Sequence, residues 1–224
     1  MNCFLEPFVH KMNTLSGQGL SWEDALGVSH VARVFPGPCC VDTFARTMVM
    51  NMHQFNGKNG CAWCMHEGEI VQRGKGHARV YSTEGPKHDL RTQSSFLKDA
   101  EVAEQTGQVS CGIKGPSILL MLSFFTFSCG FVVDYMHAVC SGFVRHTAFM
   151  WFSHKSTFPY SLGGEINEMG CRLQGMQPLW EMSRLPRSLH LRKYWKSSEW
   201  RNWLFLILPL CLVAFCLSRF FGIG

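Results

Sequence analysis

The sequence predicts a mixed α/β fold, and three stretches carry that prediction. Val28-Ser29-His30-Val31-Ala32-Arg33-Val34 alternates apolar and polar residues with the period of a half-buried strand. Phe44, Met48 and Met52 recur four apart with Val49 beside them, the spacing of one helical face. Gly130-Phe131-Val132-Val133 is a short apolar run of buried-strand type that ends in Asp134 and passes into a helical pattern through about Phe152.

The chain has 224 residues, 46% of them hydrophobic and only 17% charged, with 18 Phe and 7 Trp. That is enough apolar side chain for a core, and it excludes a disordered tail. The net charge of +5 is concentrated, since Arg184, Arg187, Arg192, Lys193, Lys196 and Arg201 fall in one stretch. Such a cluster suits phosphate, an anionic membrane surface or simply a solvated face. The 11 cysteines lie at irregular spacing, unlike a secreted disulfide framework, and Glu6, Pro7 and His10 interrupt any apolar leader. The reading is a reducing compartment, nucleus or cytoplasm.

Phe4, Leu5, Phe8, Val9 and Met12 share one face of an amino-terminal helix that Gly17 and Gly19 end. Ser21, followed by Trp22, Glu23 and Asp24, reads as a second helix start, and Pro36-Gly37-Pro38 closes the strand that follows. The helical pattern from Cys39 to Phe55 begins at Asp42, which either points into a cleft or caps the helix. Residues 66–93 read as loops with one strand at His77 to Tyr81. Ser94 to Gln105 is a polar helix with Phe96, Ala100 and Ala103 as its thin buried stripe and Gly107 as its stop. Gly112-Ile113-Lys114-Gly115 is a turn before the apolar run Ile118 to Phe127, too far from a complete phosphate-binding loop to count as one.

Two constellations carry chemistry. Cys61-Ala62-Trp63-Cys64, framed by Gly57 and Gly60, is half of a tetrahedral metal site. With a Trp between the thiols and no surrounding βαβ pattern, zinc ranks above a redox dithiol. Asp134 and His137 stand three apart on one helical face, so both reach the same ion, or the acid orients the histidine. Further on, Lys196 to Arg201 starts a helix whose Trp200, Trp203, Leu204 and Ile207 form a buried stripe, with Glu199 at the edge of the core. Residues 203–217 carry no charge but fall short of the roughly 20 apolar residues of a spanning helix.

Several phrases in a fixed order resemble one family. They are Pro36-Gly37-Pro38-Cys39-Cys40-Val41-Asp42, Gln54-Phe55-Asn56-Gly57-Lys58-Asn59-Gly60-Cys61-Ala62-Trp63-Cys64, Gly112-Ile113-Lys114-Gly115-Pro116-Ser117, Val133-Asp134-Tyr135-Met136-His137, and Arg184-Leu185-Pro186-Arg187-Ser188 with Tyr194-Trp195-Lys196-Ser197-Ser198-Glu199-Trp200-Arg201. Together they look like the transposase-derived proteins related to CACTA (En/Spm) elements, over roughly residues 2–208.

The resemblance implies an incomplete RNase H-like core, residues 1–208, with an inserted zinc knuckle at about 57–68, a helical insertion at about 135–195, and an apolar tail at 203–224. Such a core cuts DNA with three acids that hold two Mg2+ ions about 4 Å apart. By similarity Asp42 is the second acid and Glu199 the third, with Glu165 and Glu168 as alternatives. Cys61, Cys64 and His137 are implied Zn2+ ligands, with Asp134 or a further His as the fourth. Only Glu6, Glu23 and Asp24 precede Asp42, none on a core strand, so the expectation is an amino-terminally truncated, catalytically inactive copy. The expected partners are DNA through the Arg184 to Arg201 cluster and a second copy of the chain, with no small-molecule substrate. The alternative is a tail-anchored protein without enzymatic activity, held at a membrane through residues 203–217.

Overall fold

In the computed structural model, which describes residues 1–153, 161–175 and 187–209, the amino-terminal stripe forms helix α1, Asn2–Gly17. Val9 is buried, Leu5 and Met12 pack beside it, and Phe4 and Phe8 stay exposed. The fold is mixed α/β and divides into two units, residues 1–133 and 134–224.

In the first unit, strand β1 (Leu20–Glu23) pairs antiparallel with β2 (Ser29–Ala32). The expected helix start at Ser21 is therefore a strand. Asp24 decides this, because its Oδ1 accepts the backbone N–H groups of Leu26 and Val28 at 2.9 and 3.0 Å and turns the chain back on itself. Trp22 then stacks on its cross-strand partner His30 at 4.5 Å.

Strand β3 (Cys39–Cys40) leads into helix α2 (Thr43–Val49), whose N-cap is Asp42; its Oδ1 accepts from Ala45 N at 2.7 Å. The helical pattern expected from Cys39 to Phe55 forms a helix only over Thr43–Val49, with Cys39–Cys40 in strand β3, and the buried face differs as well. Phe44 and Met48 are each 55% exposed, whereas Arg46 and Thr47 are buried on the helix and Met50 and Met52 just beyond it. Phe44 instead packs edge-on against the exposed Phe55.

The loop-rich segment adds a hairpin, β4 (Glu69–Arg73) with β5 (Gly76–Val80), turning through Gly74 at φ +62°. Helix α3 (Gln93–Thr106) begins in a reciprocal cap in which the Thr92 hydroxyl accepts from Ser95 N and the Ser95 hydroxyl accepts from Thr92 N. It ends at Gly107, φ +66°, and buries Phe96, Ala100 and Ala103 as expected. The apolar run after Ser117 yields a single 3-10 turn, Ile118–Met121, and strand β6 (Phe131–Val132) pairs in parallel with β3. Met50, Met52, Phe96, Ile113, Phe127 and Phe131 fill this unit's core.

In the second unit Asp134 opens the π-helical stretch Tyr135–Val144 by accepting from Met136 N at 2.8 Å, so the acid expected at a strand end is a helix cap. Helices α4 (Arg145–Trp151), α5 (Ile166–Gly175) and α6 (Ser197–Asn202) follow, with a 3-10 stretch at Leu189–Tyr194. The core is Phe152, Met169, Leu189, Trp195, Trp200 and Trp203, with Trp195 and Trp200 ring centroids 4.6 Å apart. Trp200 and Trp203 thus occupy the predicted stripe. Arg184 and residues 210–224 of the tail lie outside the described residues, among which no helix is long and apolar enough to cross a membrane.

Candidate functional site

Gly60 makes the approach to the Cys61-x-x-Cys64 turn. A Cβ there would come within 2.0 Å of the Gln54 carbonyl oxygen, and the Gly60 N–H donates to the Tyr81 hydroxyl at 2.8 Å. The turn itself is held by Arg91, which stands just before α3 and is 4% exposed. Its Nε donates to the carbonyls of Cys61 at 2.9 Å and Cys64 at 3.2 Å; its Nη2 donates to those of Asn59 at 3.0 Å and Cys111 at 2.8 Å. One guanidinium therefore gathers three segments of the chain, and carbonyls that their own elements leave unpaired find donors there.

The charge at this knot is unusual. Arg46, on the inner face of α2, is 7% exposed and lies 4.3 Å from the centroid of the Trp63 ring. Its Nε and the Nη1 of Arg91 are buried without a hydrogen-bond partner. Among the described residues neither guanidinium has a carboxylate within ion-pair distance. Burial lowers the pKa of both arginines; the Cys61 thiol is the titratable group facing Arg46, while Asp99, Cys111, Cys61 and Cys64 all face Arg91. The two thiols of the turn are in hydrogen-bond contact, and burial, chiefly, pushes the Cys64 thiol up. Asp99 is itself buried, accepts from the Ser110 hydroxyl at 2.8 Å and bonds the Cys111 thiol.

A structural zinc ion takes four donors in a closed tetrahedron. Cys61 and Cys64 supply two, and among the described residues no three His, Cys, Asp or Glu side chains are gathered closely enough to hold an ion. Asp134 and His137 are joined to each other in the second unit, where the imidazole Nδ1 bonds the carboxylate and holds the acid below its ordinary pKa. Of the implied Mg2+ acids, Asp42 in the first unit accepts at Oδ1 from the first turn of α2, and Glu199 in the second accepts at both carboxylate oxygens.

Glu199 is fully buried on α6. Its Oε1 accepts from Arg187 Nε at 2.8 Å, and its Oε2 accepts from Arg187 Nη2 at 2.9 Å and Lys196 N at 2.8 Å. Burial alone would raise its pKa, but these bonds outweigh it and hold the carboxyl below its ordinary value. Arg192 is also structural, donating to the carbonyls of Leu189 and Phe152 at 3.0 and 3.1 Å. Of the predicted basic cluster, Lys193, Lys196 and Arg201 remain exposed with no acidic partner among the described residues. Of the alternative acids, Glu168 pairs with Arg172 and Glu165 closes a 3-10 turn.

The two arginines at the thiol knot are functional candidates that the sequence did not mark. Arg46 reads there as an ordinary helix charge and Arg91 as a residue of a loop, and no local signal distinguishes either. Compared with protein-family models, curated proteins and solved structures, the chain matches none of them.

Proposed function

We propose that the chain is a transposase-derived protein with an incomplete RNase H-like core that has lost DNA cleavage and keeps a nucleic-acid-binding surface. The observation that carries the reading is the state of Glu199, the acid that would complete the ancestral metal site. A carboxylate buried against one guanidinium, with both oxygens bonded, serves as an internal tie and offers no open oxygen to a catalytic cation.

Binding is supported by Lys193, Lys196 and Arg201, three exposed cations on one short segment, with the exposed Tyr194 ring under the Lys193 ammonium at 4.6 Å. Cations free of carboxylates suit phosphate, and an exposed ring gives a base a surface to stack on. The full chain is expected to bind duplex or single-stranded DNA with little sequence preference. Affinity should fall steeply with salt, and replacing Lys193, Lys196 and Arg201 together by Ala should lower the log–log salt slope by about 2–3. An unchanged slope in the triple variant sinks the binding surface. Cleavage of a DNA substrate in Mg2+ by the full chain, abolished by Asp42→Ala, sinks the loss of catalysis.

A further inference from the structure

We propose that a hollow in the second unit, lined by Ser141, Gly142, Arg145, His146 and Phe149, holds the terminal phosphate of a nucleic-acid strand. The inference rests on the reading of this unit as a nucleic-acid-binding surface and adds which part of the strand it takes.

Helical spacing builds the hollow. Ser141, Arg145 and Phe149 follow one another at intervals of four, as do Gly142 and His146, so two rows run side by side where the π-helical stretch passes into α4. Gly142 brings no side chain to its row, which keeps open a space of about 390 Å3. The Ser141 hydroxyl bonds that of Ser197 at 2.5 Å, and this contact places the hollow beside Lys196 at the start of α6.

The lining carries donors and no acid. Arg145 and His146 are both exposed, and among the described residues neither has a carboxylate within ion-pair distance. The Arg145 guanidinium lies 5.7 Å from the centroid of the Phe149 ring, and that of Arg192 lies 5.2 Å from the same ring, so two positive charges flank it. In the Ser141 and Ser197 pair only one hydroxyl donates to the other, which leaves a second O–H for an outside acceptor. A guanidinium, an imidazole N–H and a hydroxyl are the donors that a phosphate oxygen takes. A terminal phosphate fits better than an internal one on two counts. It carries about 1.5 to 2 negative charges at neutral pH, matching more than one cation, and an end enters a hollow while an internal phosphate tracks along an open surface such as Lys193, Lys196 and Arg201. The space exceeds a lone phosphate group and leaves room for the attached sugar against Phe149.

The test uses the full chain with single strands that are identical except for a 5′-phosphate or a 5′-hydroxyl, and with thymidine 5′-monophosphate, thymidine and inorganic phosphate measured by calorimetry. The phosphorylated strand should bind about tenfold tighter than its hydroxyl twin, and thymidine 5′-monophosphate should bind where thymidine does not. Arg145→Met, at an exposed side chain, should bring the strand ratio close to one. Replacing Lys193, Lys196 and Arg201 together by Ala should weaken both strands and keep the ratio. Equal affinity for the two strands, a ratio unchanged in Arg145→Met, or inorganic phosphate held as tightly as the monophosphate would each overturn the proposal. A chain that takes thymidine 5′-monophosphate but no DNA would sink the extended binding surface and keep the phosphate pocket, so the two readings fail separately.

Discussion

Replacing Arg91 by methionine should cost the first unit about 3–5 kcal/mol, the largest single loss expected there. The methionine fills the volume of the side chain but leaves the carbonyls of Asn59, Cys61, Cys64 and Cys111 without their donors. Each unpaired buried carbonyl costs about 1–3 kcal/mol, and water entering beside the half-buried thiol turn recovers part of that sum. Lysine should rescue little, because an ammonium is a point donor and cannot span two pairs of carbonyls as a planar guanidinium does. Urea unfolding of the full chain, followed by a probe in each unit, measures this. A loss below about 1 kcal/mol for Arg91→Met would show that the staple is incidental.

Replacing Glu199 by alanine should destabilise the second unit by about 2–4 kcal/mol. The figure is smaller than for a wholly buried pair because the Arg187 side chain is 46% exposed and can turn to water once its partner is gone. The charge-specific part shows in the pH dependence. The Glu199 carboxyl is held below its ordinary value of 4.5, so the folded state binds its proton less readily than the unfolded chain does. Its contribution is therefore complete above that value and is lost as pH falls through the lower folded one. Glu199→Gln removes the titrating group while keeping the shape, and its stability should converge on that of the unaltered chain as the solution is acidified below 4.5. Asp134, held low by His137, titrates in both proteins and cancels in the difference. Parallel acid curves would contradict the tie between Glu199 and Arg187.

The mixed α/β class and several element boundaries were legible in the sequence because their signals are local. Gly107 stops α3 and Asp42 caps α2, each through groups within a few residues, whereas α3 starts at Gln93 under Thr92, just before the expected Ser94. The Trp200 and Trp203 stripe was legible for the same reason, since a period of 3.6 needs no knowledge of what it packs against. The Ser21 start misled because a serine before two acids is a helix signal until a cross-strand partner such as His30 competes for the chain.

Which face of α2 turned inward was decided elsewhere. Phe44, Met48 and Met52 named the apolar face, yet Arg46 is buried, its cation over Trp63 from the thiol turn. The Cys61-x-x-Cys64 spacing marked a pair of thiols and ranked zinc above a redox dithiol, but it named no buried charge beside them. The buried charges beside that turn, Arg46, Arg91 and Asp99, come from other elements of the chain. Glu199 followed the same rule, read as an acid at the edge of the core and found closed by Arg187 from the preceding segment. By itself the sequence determined the Asp42 cap, the Gly107 stop, the Trp200–Trp203 stripe and which thiols are neighbours, because those depend on interactions a few residues long. Only the tertiary structure decided which charges are buried beside them, because a buried cation is tolerable only where distant carbonyls and rings converge to receive it.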